Sequence, residues 1–549
     1  MKAKKTLAIL VTLLMTVMMT MAMGVAVFAA GDGSITITNA VSGHTYTAYQ
    51  IFKGDFSGDV LSNVDWGTGI SEAGKTALQT KYNKTAPADI AKAIGSGDAA
   101  AVAFADTVGA NVATGTAGTL DGTTYTISGL EDGYYMIVDT YTPSAGETNV
   151  TYSRYMVQLV DNATVANKAE KPDVDKKIVE GNQKVEGNTA NIGDTVTYEL
   201  TSKVPDMTGY KEYYMDFNDT LSKGLTYANN LTVKIGDKTL TADDYTVEVG
   251  DYSETSGTSI VIHLKDMVSR EYAKGADIVI TYNATVNDKA VIGNTGNPNT
   301  VTLEYSNNPA DSGDGVPDND NDGVQGETPE KVVKTFVTEI EMTKLDDKEA
   351  PLAGAVFNVK GTQINKVILT GEHFVEAADG EYYLLNDGTY TTKEPTEQTE
   401  AQYADKNKKY KKEAYTTTSV QETANVAFQV ISDANGKIKV TGLQEGTYTF
   451  TEIQAPDGYN LLKQPITVVI ESNADGLTNL DQFAWSKGAA SSSNVTVDAN
   501  GTFKFEVVNE KGSTLPETGG IGTTIFYILG AILVVGCGIV LVSRKRMEK

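Results

Sequence analysis

The feature that most constrains the fold of this chain is the alternation of apolar and polar residues in many short segments. It is plain in "SITITNA", "GDTVTYELTSKV", "NTVTLEYS", "ITVVIES" and "TFKFEVVN". Side chains two residues apart on a β-strand point the same way, so each segment has one apolar face. Gly, Asp and Asn turns between such segments are typical of β-sandwiches. The sequence therefore predicts an all-β fold of tandem immunoglobulin-like sandwiches.

The N-terminus has the features of a secretory signal peptide. Lysines near the start precede an apolar stretch over residues 7–27, and Val27-Phe28-Ala29 offers small or aliphatic residues at the positions that signal peptidase reads. We expect cleavage after residue 29, with the exported chain beginning near Ala30. The alternative is a membrane helix that is retained.

The C-terminus combines three features in a fixed order. An apolar run of 22 residues, 521–542, is long enough to cross a bilayer as a helix, and a basic cluster follows it on the side expected to be cytoplasmic. The sequence "LPETG" stands just before this run. An ordinary membrane anchor is one interpretation. The residues concerned are Leu515, Pro516, Glu517, Thr518 and Gly519, then Arg544, Lys545 and Arg546.

In this order the three features resemble the cell-wall sorting signal of Gram-positive surface proteins. The resemblance implies that a sortase, a membrane-bound transpeptidase, cuts between Thr518 and Gly519. Pro516 fixes its own φ and biases Leu515 toward extended backbone, which suits a peptide that enters an enzyme groove. The protein is thus expected to be secreted and attached covalently to peptidoglycan.

Length and composition shifts predict about three domains between these ends. The breaks fall at Lys171-Pro172 and in the acidic stretch "DSGDGVPDNDNDGVQGETPE". The predicted divisions are a signal peptide at 1–29, a first β-domain at 30–170, a middle β-sandwich at 171–330, a third β-sandwich at 331–512 and the sorting segment at 513–549.

Charge and cysteine content exclude several functions. The exported residues 30–518 hold 38 Lys and Arg against 70 Asp and Glu. Such an acidic surface repels phosphate backbones, so we expect no nucleic-acid partner. The only cysteine, Cys537, lies in the segment that sorting removes. The exported protein therefore has no disulfide, and something else must stabilise it outside the cell.

No cofactor or metal site is expected. The three histidines, His44, His263 and His373, are far apart and lack the spacing of a zinc or catalytic site. The segment "DNDNDG" places acidic residues in the order of a calcium loop, but Pro329 stands where the loop needs a bidentate Glu. An acidic linker is the preferred interpretation. The residues of this segment are Asp318, Asp320, Asp322 and Gly323.

Three strands of the third domain each align one polar residue with a buried stripe. In "TEIEMTKLDD" that residue is Lys344, in "GTYTFTEIQAPDGY" it is Glu452, and in "TFKFEVVNE" it is Asn509. Buried without partners, each would cost several kcal/mol. Polar residues at strand ends, or a buried salt bridge, are the ordinary interpretation.

The same segments resemble the CnaB-type domain of Gram-positive pilins and surface adhesins. The stretches that carry the resemblance are "KLDDKEAPLAGAVFNV", "GLQEGTYTFTEIQAPDGY" and "FEVVNEKGSTLPETGG". It implies that Lys344 and Asn509 fuse into an intramolecular isopeptide bond with the assistance of Glu452. Burial favours a neutral amine and a neutral acid, so the amine can attack the carboxamide while ammonia leaves. Such a bond would replace the missing disulfides.

The middle domain repeats the pattern. Alternation directs Lys176 toward the core and Lys177 away from it in "DVDKKIVE", and it directs Asp219 and Asn299 inward in "YMDFNDTLSKGL" and "NTVTLEYS". These stretches resemble the isopeptide-forming second domain of fimbrial backbone subunits. The resemblance implies a bond between Lys176 and Asn299 assisted by Asp219, with Lys177 and Asn297 as the alternatives.

The first domain departs from this pattern. Its segment "GLEDGYYMIVDTYTP" places Asp139 at the acid position, but the opening strand "GSITITNA" has no lysine. We expect no crosslink there. The segment "ITNAVSGHTYTAYQIFKGD" is nevertheless similar to the N-terminal domain of pilus backbone subunits.

Together the resemblances imply a structural role, the major shaft subunit of a sortase-assembled pilus. The expected partners are a sortase, identical subunits, peptidoglycan and minor tip and base pilins. The alternative is a monomeric wall-anchored adhesin that binds a host surface ligand. We expect no enzyme activity beyond single-turnover crosslinking of the chain itself.

A shaft subunit needs a lysine that accepts the Thr518 acyl group of the next subunit. Family members carry it just ahead of the second domain, usually after a Tyr-Pro pair, and that pair is absent here. The segment "VDNATVANKAEKPDVDKK" offers Lys168 and Lys171. We favour Lys168, because it lies among small polar residues, whereas Lys171 directly precedes Pro172 and leads into a strand.

Overall fold

The computed structural model describes most of the chain between residues 31 and 512 and one short piece near the C-terminus. The described ranges are 31–57, 60–167, 171–310, 325–361, 364, 366–414, 418–420, 428–512 and 528–535.

The first domain pairs a four-stranded sheet, in the order β5-β6-β1-β9, with a five-stranded one in the order β3-β2-β7-β8, where β4 pairs with β2. Apolar side chains such as Ile35, Ile37 and Ile137 are fully buried between the sheets. The strands are β1 (Gly33–Thr38), β2 (Thr45–Ser57), β3 (Val60–Trp66), β4 (Thr116–Ala117), β5 (Thr119–Asp121), β6 (Thr124–Leu130), β7 (Gly133–Thr140), β8 (Arg154–Leu159) and β9 (Asn162–Ala166).

Three helices interrupt the strands of this domain: α1 (Glu72–Tyr82), α2 (Pro87–Ala93) and α3 (Asp98–Gly109). The Ser71 hydroxyl caps α1 by accepting a hydrogen bond from the Gly74 amide. Leu78, Ile90 and Phe104 project from the helices into a second core against the β2-β7 sheet. The sheets confirm the predicted all-β class, and the helices are an addition that strand alternation did not indicate.

The middle domain consists of two larger sheets that face each other. One has the order β11-β10-β13-β20-β16-β17 with β15 on β20, and the other has the order β12-β23-β21-β14-β19-β18 with β22 on β21. The strands are β10 (Asp175–Glu180), β11 (Gln183–Val185), β12 (Gly187–Thr189), β13 (Thr195–Lys203), β14 (Met215–Leu221), β15 (Leu225–Tyr227), β16 (Thr232–Ile235), β17 (Lys238–Thr239), β18 (Tyr245–Val249), β19 (Thr258–Leu264), β20 (Asp277–Val286), β21 (Asn297–Ser306), β22 (Gln325–Glu327) and β23 (Lys331–Phe336).

The third domain is also a sandwich of two sheets, β31-β26-β33-β24-β38-β37 and β30-β27-β32-β25-β34-β35-β36, with a separate β28-β29 hairpin. The strands are β24 (Thr338–Asp346), β25 (Val356–Gly361), β26 (Lys366–Thr370), β27 (Glu372–Glu376), β28 (Tyr383–Leu384), β29 (Tyr390–Thr391), β30 (Tyr410–Ala414), β31 (Thr418–Val420), β32 (Phe428–Ile431), β33 (Lys437–Leu443), β34 (Gly446–Gln454), β35 (Ile466–Ser472), β36 (Trp485–Lys487), β37 (Thr496–Val497) and β38 (Phe503–Asn509). Short 3₁₀ helices span Glu400–Gln402, Ala474–Leu477 and Leu480–Gln482.

The chain passes from the middle to the third sandwich between Phe336 and Thr338. Strand β23 pairs with β12 and β21 of the middle domain, whereas β24 pairs with β33 and β38 of the third. The boundary drawn from the sequence at residue 331 falls at the start of β23. Strand pairing therefore assigns β23 to the middle sandwich.

The two ends of the sequence lie largely outside the described residues. These include the signal peptide, the LPETG motif, most of the apolar run 521–542 and the basic tail. Within the part of the chain that is described, no helix has the length and apolar character needed to cross a membrane.

Candidate functional site

The third domain brings Lys344, Glu452 and Asn509 together in its core. Lys344 lies on β24 and Asn509 on β38, which run parallel with Lys344 opposite Val507. Asn509 is two residues beyond that pair, so its side chain is on the same face of the sheet. Glu452 reaches both from β34 of the facing sheet. All three are at most 4 % exposed.

The three side chains form a continuous hydrogen-bonded set. Lys344 Nζ donates to Asn509 Oδ1 at 2.5 Å and to the Val507 carbonyl at 3.1 Å. Asn509 Nδ2 donates to Glu452 Oε1 at 2.8 Å, and the same oxygen lies 3.8 Å from Lys344 Nζ. The Leu462 amide holds the other carboxylate oxygen at 2.8 Å. One oxygen of the acid therefore faces both nitrogens that a crosslinking reaction would involve.

Burial disfavours charge on both ionisable members. It lowers the pKa of Lys344 to about 8, although the nearby Glu452 opposes this. It also raises the pKa of Glu452, against the hydrogen bond from the Leu462 amide and the charge of Lys344. The pair is therefore displaced toward a neutral amine and a neutral acid, the forms that amine attack on a carboxamide requires.

The middle domain brings Lys176, Asp219 and Asn299 together across its two facing sheets. Lys176 lies on β10, Asp219 on β14 and Asn299 on β21, and all are at most 2 % exposed. Lys176 Nζ contacts Asp219 Oδ2 directly. Burial lowers the pKa of Lys176 and raises that of Asp219, each against the attraction of its partner. The electrostatic conditions are those of the third domain.

A fourth residue of this set, Tyr282, was not singled out in the sequence. Its hydroxyl donates to Asp219 Oδ1 at 2.8 Å and accepts from Lys176 Nζ at 3.1 Å and from Asn299 Nδ2 at 2.7 Å. Alternation in "DIVITYNATV" does place Tyr282 inward with Ile280. A tyrosine on an apolar stripe is an ordinary core residue, so only the position of its hydroxyl distinguishes it.

The alternative residues of the middle domain lie elsewhere. Lys177 is on the outer side of β10, where its ammonium contacts Glu186 at 2.9 Å and Asp175 at 3.6 Å. Asn297 is buried, but its amide bonds to backbone groups of Val291 and Thr335. Neither contacts Asp219 in the structure.

The acid of the first domain has a different partner. Asp139 Oδ1 lies 2.8 Å from His44 Nδ1, and Oδ2 accepts the Ser153 amide at 3.0 Å. Burial raises the pKa of Asp139, while the hydrogen bond from His44 opposes that shift. In the described part of the domain, Asp139 is thus paired with His44, which lies directly before β2, and not with a lysine.

The histidines do not converge. His263 Nδ1 lies 2.5 Å from Asp216 in the middle domain, and His373 lies on β27 of the third. Across the described ranges, no group of three metal-ligating side chains is present. The acidic stretch with Asp318, Asp320 and Asp322 lies outside those ranges.

The residues predicted for polymerisation are only partly described. Lys171 is exposed, and Pro172 beside it is buried. Lys168 and residues 515–519 lie outside the described residues.

Comparison with known proteins gives three family matches along the chain. Residues 192–309 match the Gram-positive pilin backbone subunit 2, Cna-B-like domain. Residues 411–483 match the SpaA family, a prealbumin-like fold domain, and residues 507–549 match the LPXTG cell wall anchor motif.

A curated relative spans nearly the whole chain. The trypsin-resistant surface T6 protein of Streptococcus pyogenes serotype M6 is 27 % identical over 563 residues, covering 93 % of this chain and 95 % of the relative. Among solved structures, the T6 backbone pilin of serotype M6 Streptococcus pyogenes is 17 % identical with a TM-score of 0.48, covering 89 % of this chain and all of that one. The major pilin SpaD of Corynebacterium diphtheriae is 17 % identical with a TM-score of 0.44, covering 88 % and 98 %.

Tandem β-sandwiches followed by a wall-anchor motif define a class, the surface proteins that Gram-positive bacteria attach covalently to their cell wall. Within that class, the match at residues 192–309 points to the backbone subunits of pili. The chain is therefore similar to LPXTG-anchored backbone pilins, with a pilin-backbone domain, a prealbumin-like domain and a wall-anchor motif along its length.

Proposed function

We propose that this chain is the repeating subunit of a covalent surface pilus and that two internal isopeptide bonds stabilise it. The observation that carries the proposal is the pair of buried lysine, acid and asparagine sets in a protein that ends in a sorting motif. In the proposed cycle, a sortase cuts between Thr518 and Gly519. A lysine of the next subunit then resolves the acyl-enzyme.

The proposed crosslink in the third domain follows from the contacts of Glu452. The amine of Lys344 attacks Cγ of Asn509, the C–Nδ2 bond breaks, and ammonia leaves. The amine must lose a proton and the departing nitrogen must gain one. Glu452 Oε1 lies 3.8 Å from the first nitrogen and 2.8 Å from the second, so one carboxyl group can pass the proton between them.

The mechanical consequence depends on which strands are joined. In the third domain the proposed bond links β24 to β38, the first and last strands of the sandwich, which already run side by side. Tension applied between the ends of this domain would then pass through a covalent bond. In the middle domain the proposed bond links β10 to β21, on facing sheets.

The test of the crosslinks is an intact-mass measurement. Residues 30–512 should weigh less than calculated by two ammonia molecules, and peptide mapping should recover Lys344 joined to Asn509 and Lys176 joined to Asn299. A chain of full calculated mass would refute both bonds. A deficit of one ammonia would refute the bond whose peptides are recovered unjoined.

The acceptor lysine is tested in cells. We infer that Lys168 is the acceptor, so Lys168→Arg should abolish the ladder of high-mass species in wall extracts while monomer still reaches the wall. Arginine keeps the charge but has no primary amine for acyl transfer. Lys171→Arg is the matched control. Loss of the ladder in Lys171→Arg alone would move the acceptor to that residue, and an unchanged ladder in both would place it elsewhere.

Attachment of the polymer to peptidoglycan and the addition of minor tip and base pilins belong to the same proposal. A single wall-linked band from the unmodified chain, with no ladder, would favour the monomeric adhesin that binds a host surface ligand.

A further inference from the structure

The hydroxyl of Tyr282 lies at the centre of the middle-domain set. It accepts from both nitrogens of the proposed reaction, Lys176 Nζ and Asn299 Nδ2, and it donates to Asp219. One donated and two accepted hydrogen bonds use the full capacity of a phenolic hydroxyl. Tyr282 is 1 % exposed, so water does not compete for these bonds.

The third domain shows what this hydroxyl replaces. There, Glu452 contacts the nitrogen of Asn509 directly at 2.8 Å. In the middle domain the acid is an aspartate, shorter by one methylene, and its described hydrogen bonds go to Lys176 and Tyr282. The contact to the nitrogen of Asn299 is made by Tyr282. The tyrosine spans the distance that the shorter acid leaves.

We propose that Tyr282 is a catalytic residue of the middle-domain crosslink, which relays a proton from Asp219 to the departing nitrogen of Asn299. This inference rests on the proposed function, because it presupposes that Lys176 and Asn299 become joined. No such residue lies in the third-domain set, where the glutamate reaches both nitrogens.

The relay balances in protons and bonds. Lys176 Nζ attacks Cγ of Asn299, and the proton that the amine loses passes to Asp219 Oδ2. Asp219 enters this step as the neutral acid that burial favours, with its proton on Oδ1 and the hydrogen bond to the phenol now donated by the acid. Tyr282 gives its hydroxyl proton to Nδ2 as the C–N bond breaks and takes the proton of Oδ1, so Asp219 is left neutral with its proton on Oδ2. The products are the amide and ammonia, while the acid and the phenol return to their starting forms. Burial raises the pKa of Tyr282 well above its usual range, which keeps the phenol protonated before the step.

The test follows crosslinking in time. The polypeptide of residues 30–518 is recovered unfolded in urea, and its full calculated mass shows that no crosslink has yet formed. It is then folded by dilution, and each crosslink is quantified over time by peptide mapping. Tyr282→Phe should slow the Lys176–Asn299 bond by about 100-fold or more, the size of a general acid–base contribution. The Lys344–Asn509 bond in the same molecules should form at the unmodified rate.

The matched control is Tyr305→Phe. Tyr305 is also fully buried in the middle domain, and its hydroxyl donates a partly buried hydrogen bond to Asn149 Oδ1 at 2.6 Å. It has no hydrogen bond to the reacting groups. Tyr305→Phe should leave the rate of both bonds unchanged, so a rate loss shared by both variants would assign the effect to packing and overturn the relay.

A second measurement covers the case in which Tyr282→Phe does not fold. A fluorinated tyrosine placed at residue 282 keeps the shape of the ring and makes the phenol more acidic. A relay changes its rate with this acidity, whereas a purely structural hydroxyl does not, so an unchanged rate would overturn the proposal. If the unmodified chain never joins Lys176 to Asn299, the proposed function fails instead, and the two failures are thereby distinguished.

Discussion

The first and third domains each carry an acid at the matching position of a similar hairpin, an aspartate in the first and a glutamate in the third, and the two acids have different partners. Asp139 follows Gly133 on β7 at the same spacing at which Glu452 follows Gly446 on β34. In both domains the preceding strand ends in a leucine that pairs with the start of the opening strand, Leu130 with Gly33 and Leu443 with Thr338. The environment of the acid differs, since Glu452 faces a lysine and Asp139 faces His44.

The length of the opening strand explains the difference. Counting from these matched pairs, the position of Lys344 in the third domain corresponds to Asn39 in the first. Strand β24 continues through Lys344 to Asp346, but β1 ends at Thr38, and Asn39 is an exposed residue with a positive φ of 56°. A side chain at residue 39 does not enter the core. The hairpin therefore places the acid, and the opening strand decides whether an amine can reach it.

The route that tension would take through a proposed pilus subunit is consistent with this difference between the first and third domains. If Lys168 accepts the incoming subunit, tension between Lys168 and Thr518 runs through the middle and third domains. The first domain, which ends at β9 before Lys168, lies outside that path. A covalent bond in it would bear no load.

The largest loss of stability is expected from replacing the acid that contacts the buried lysine in each crosslinking set. Glu452→Ala should fall short of its own calculated mass by one ammonia fewer than the unmodified chain does. It should also lower the free energy of unfolding of the third domain by about 4 to 5 kcal/mol, the chain-entropy value for a long closed loop. Asp219→Ala should do the same in the middle domain. Intact mass and urea unfolding measure both effects.

The control for these variants is Glu341→Ala, which removes a partly exposed glutamate of β24 that pairs with Lys437. It should keep the full ammonia deficit and cost at most about 1 kcal/mol. An unchanged deficit in Glu452→Ala would mean that the acid does not assist the bond.

A pH effect should appear when the third-domain bond is prevented but the amine stays. In Asn509→Ala, Lys344 keeps a pKa of about 8 in the folded state, against an ordinary value near 10.4 when unfolded. Between these values the unfolded chain binds more protons, so stability should increase as the pH rises from about 8 to about 10.4. The increase should be about 3 kcal/mol relative to the crosslinked chain, which has no amine at this position.

Urea unfolding of Asn509→Ala and of the unmodified chain across that pH range measures the increase. Asn509→Ala combined with Lys344→Met has no amine to titrate and should show no increase. An increase in the double variant would assign the pH effect to another group.

In the first domain, the partner of the acid is expected to matter less. His44→Phe keeps a ring that can stack on Tyr141, now 4.5 Å from the His44 ring, but leaves buried Asp139 with one of its two hydrogen bonds. The cost should be about 2 kcal/mol at pH 7, the penalty for an unsatisfied buried acceptor. Hydrogen exchange of β2 and β7 measures it.

His263→Phe is the comparison for that variant, because it breaks a similar pair with Asp216 in the middle domain. It should weaken protection in β14 and β19 and leave β2 and β7 unchanged. Equal loss of protection in both domains from either variant would contradict a local role for His44.

The alternation of side chains along each strand, here called strand parity, accounts for what could be predicted from sequence. It distinguishes inward from outward residues on one strand, and the predicted inward residues are all buried: Lys176, Asp219, Asn299, Lys344, Glu452 and Asn509. Strand parity carries no information on how the two facing sheets of a sandwich are aligned. The hydroxyl of Tyr282 meets Asn299 across the space between the facing sheets. His44, which contacts Asp139, lies just before β2 and outside any strand, so alternation gives no direction for its ring. The helices α1 to α3 lie in an insertion between two strands, where alternation gives no signal.

The smallest expected change in stability tests the prediction, made from strand parity, that Lys176 and not Lys177 reacts. Lys177 is adjacent to Lys176 but partly exposed, with its ammonium shared between Glu186 and Asp175. Ion pairs of this kind contribute at most about 1 kcal/mol, so Lys177→Ala should keep the ammonia deficit and unfold within that margin of the unmodified chain. Lys176→Ala should lose one ammonia deficit and the stability of the middle-domain bond. The reverse result, a deficit lost with Lys177→Ala and kept with Lys176→Ala, would show that the outward lysine is the one that reacts.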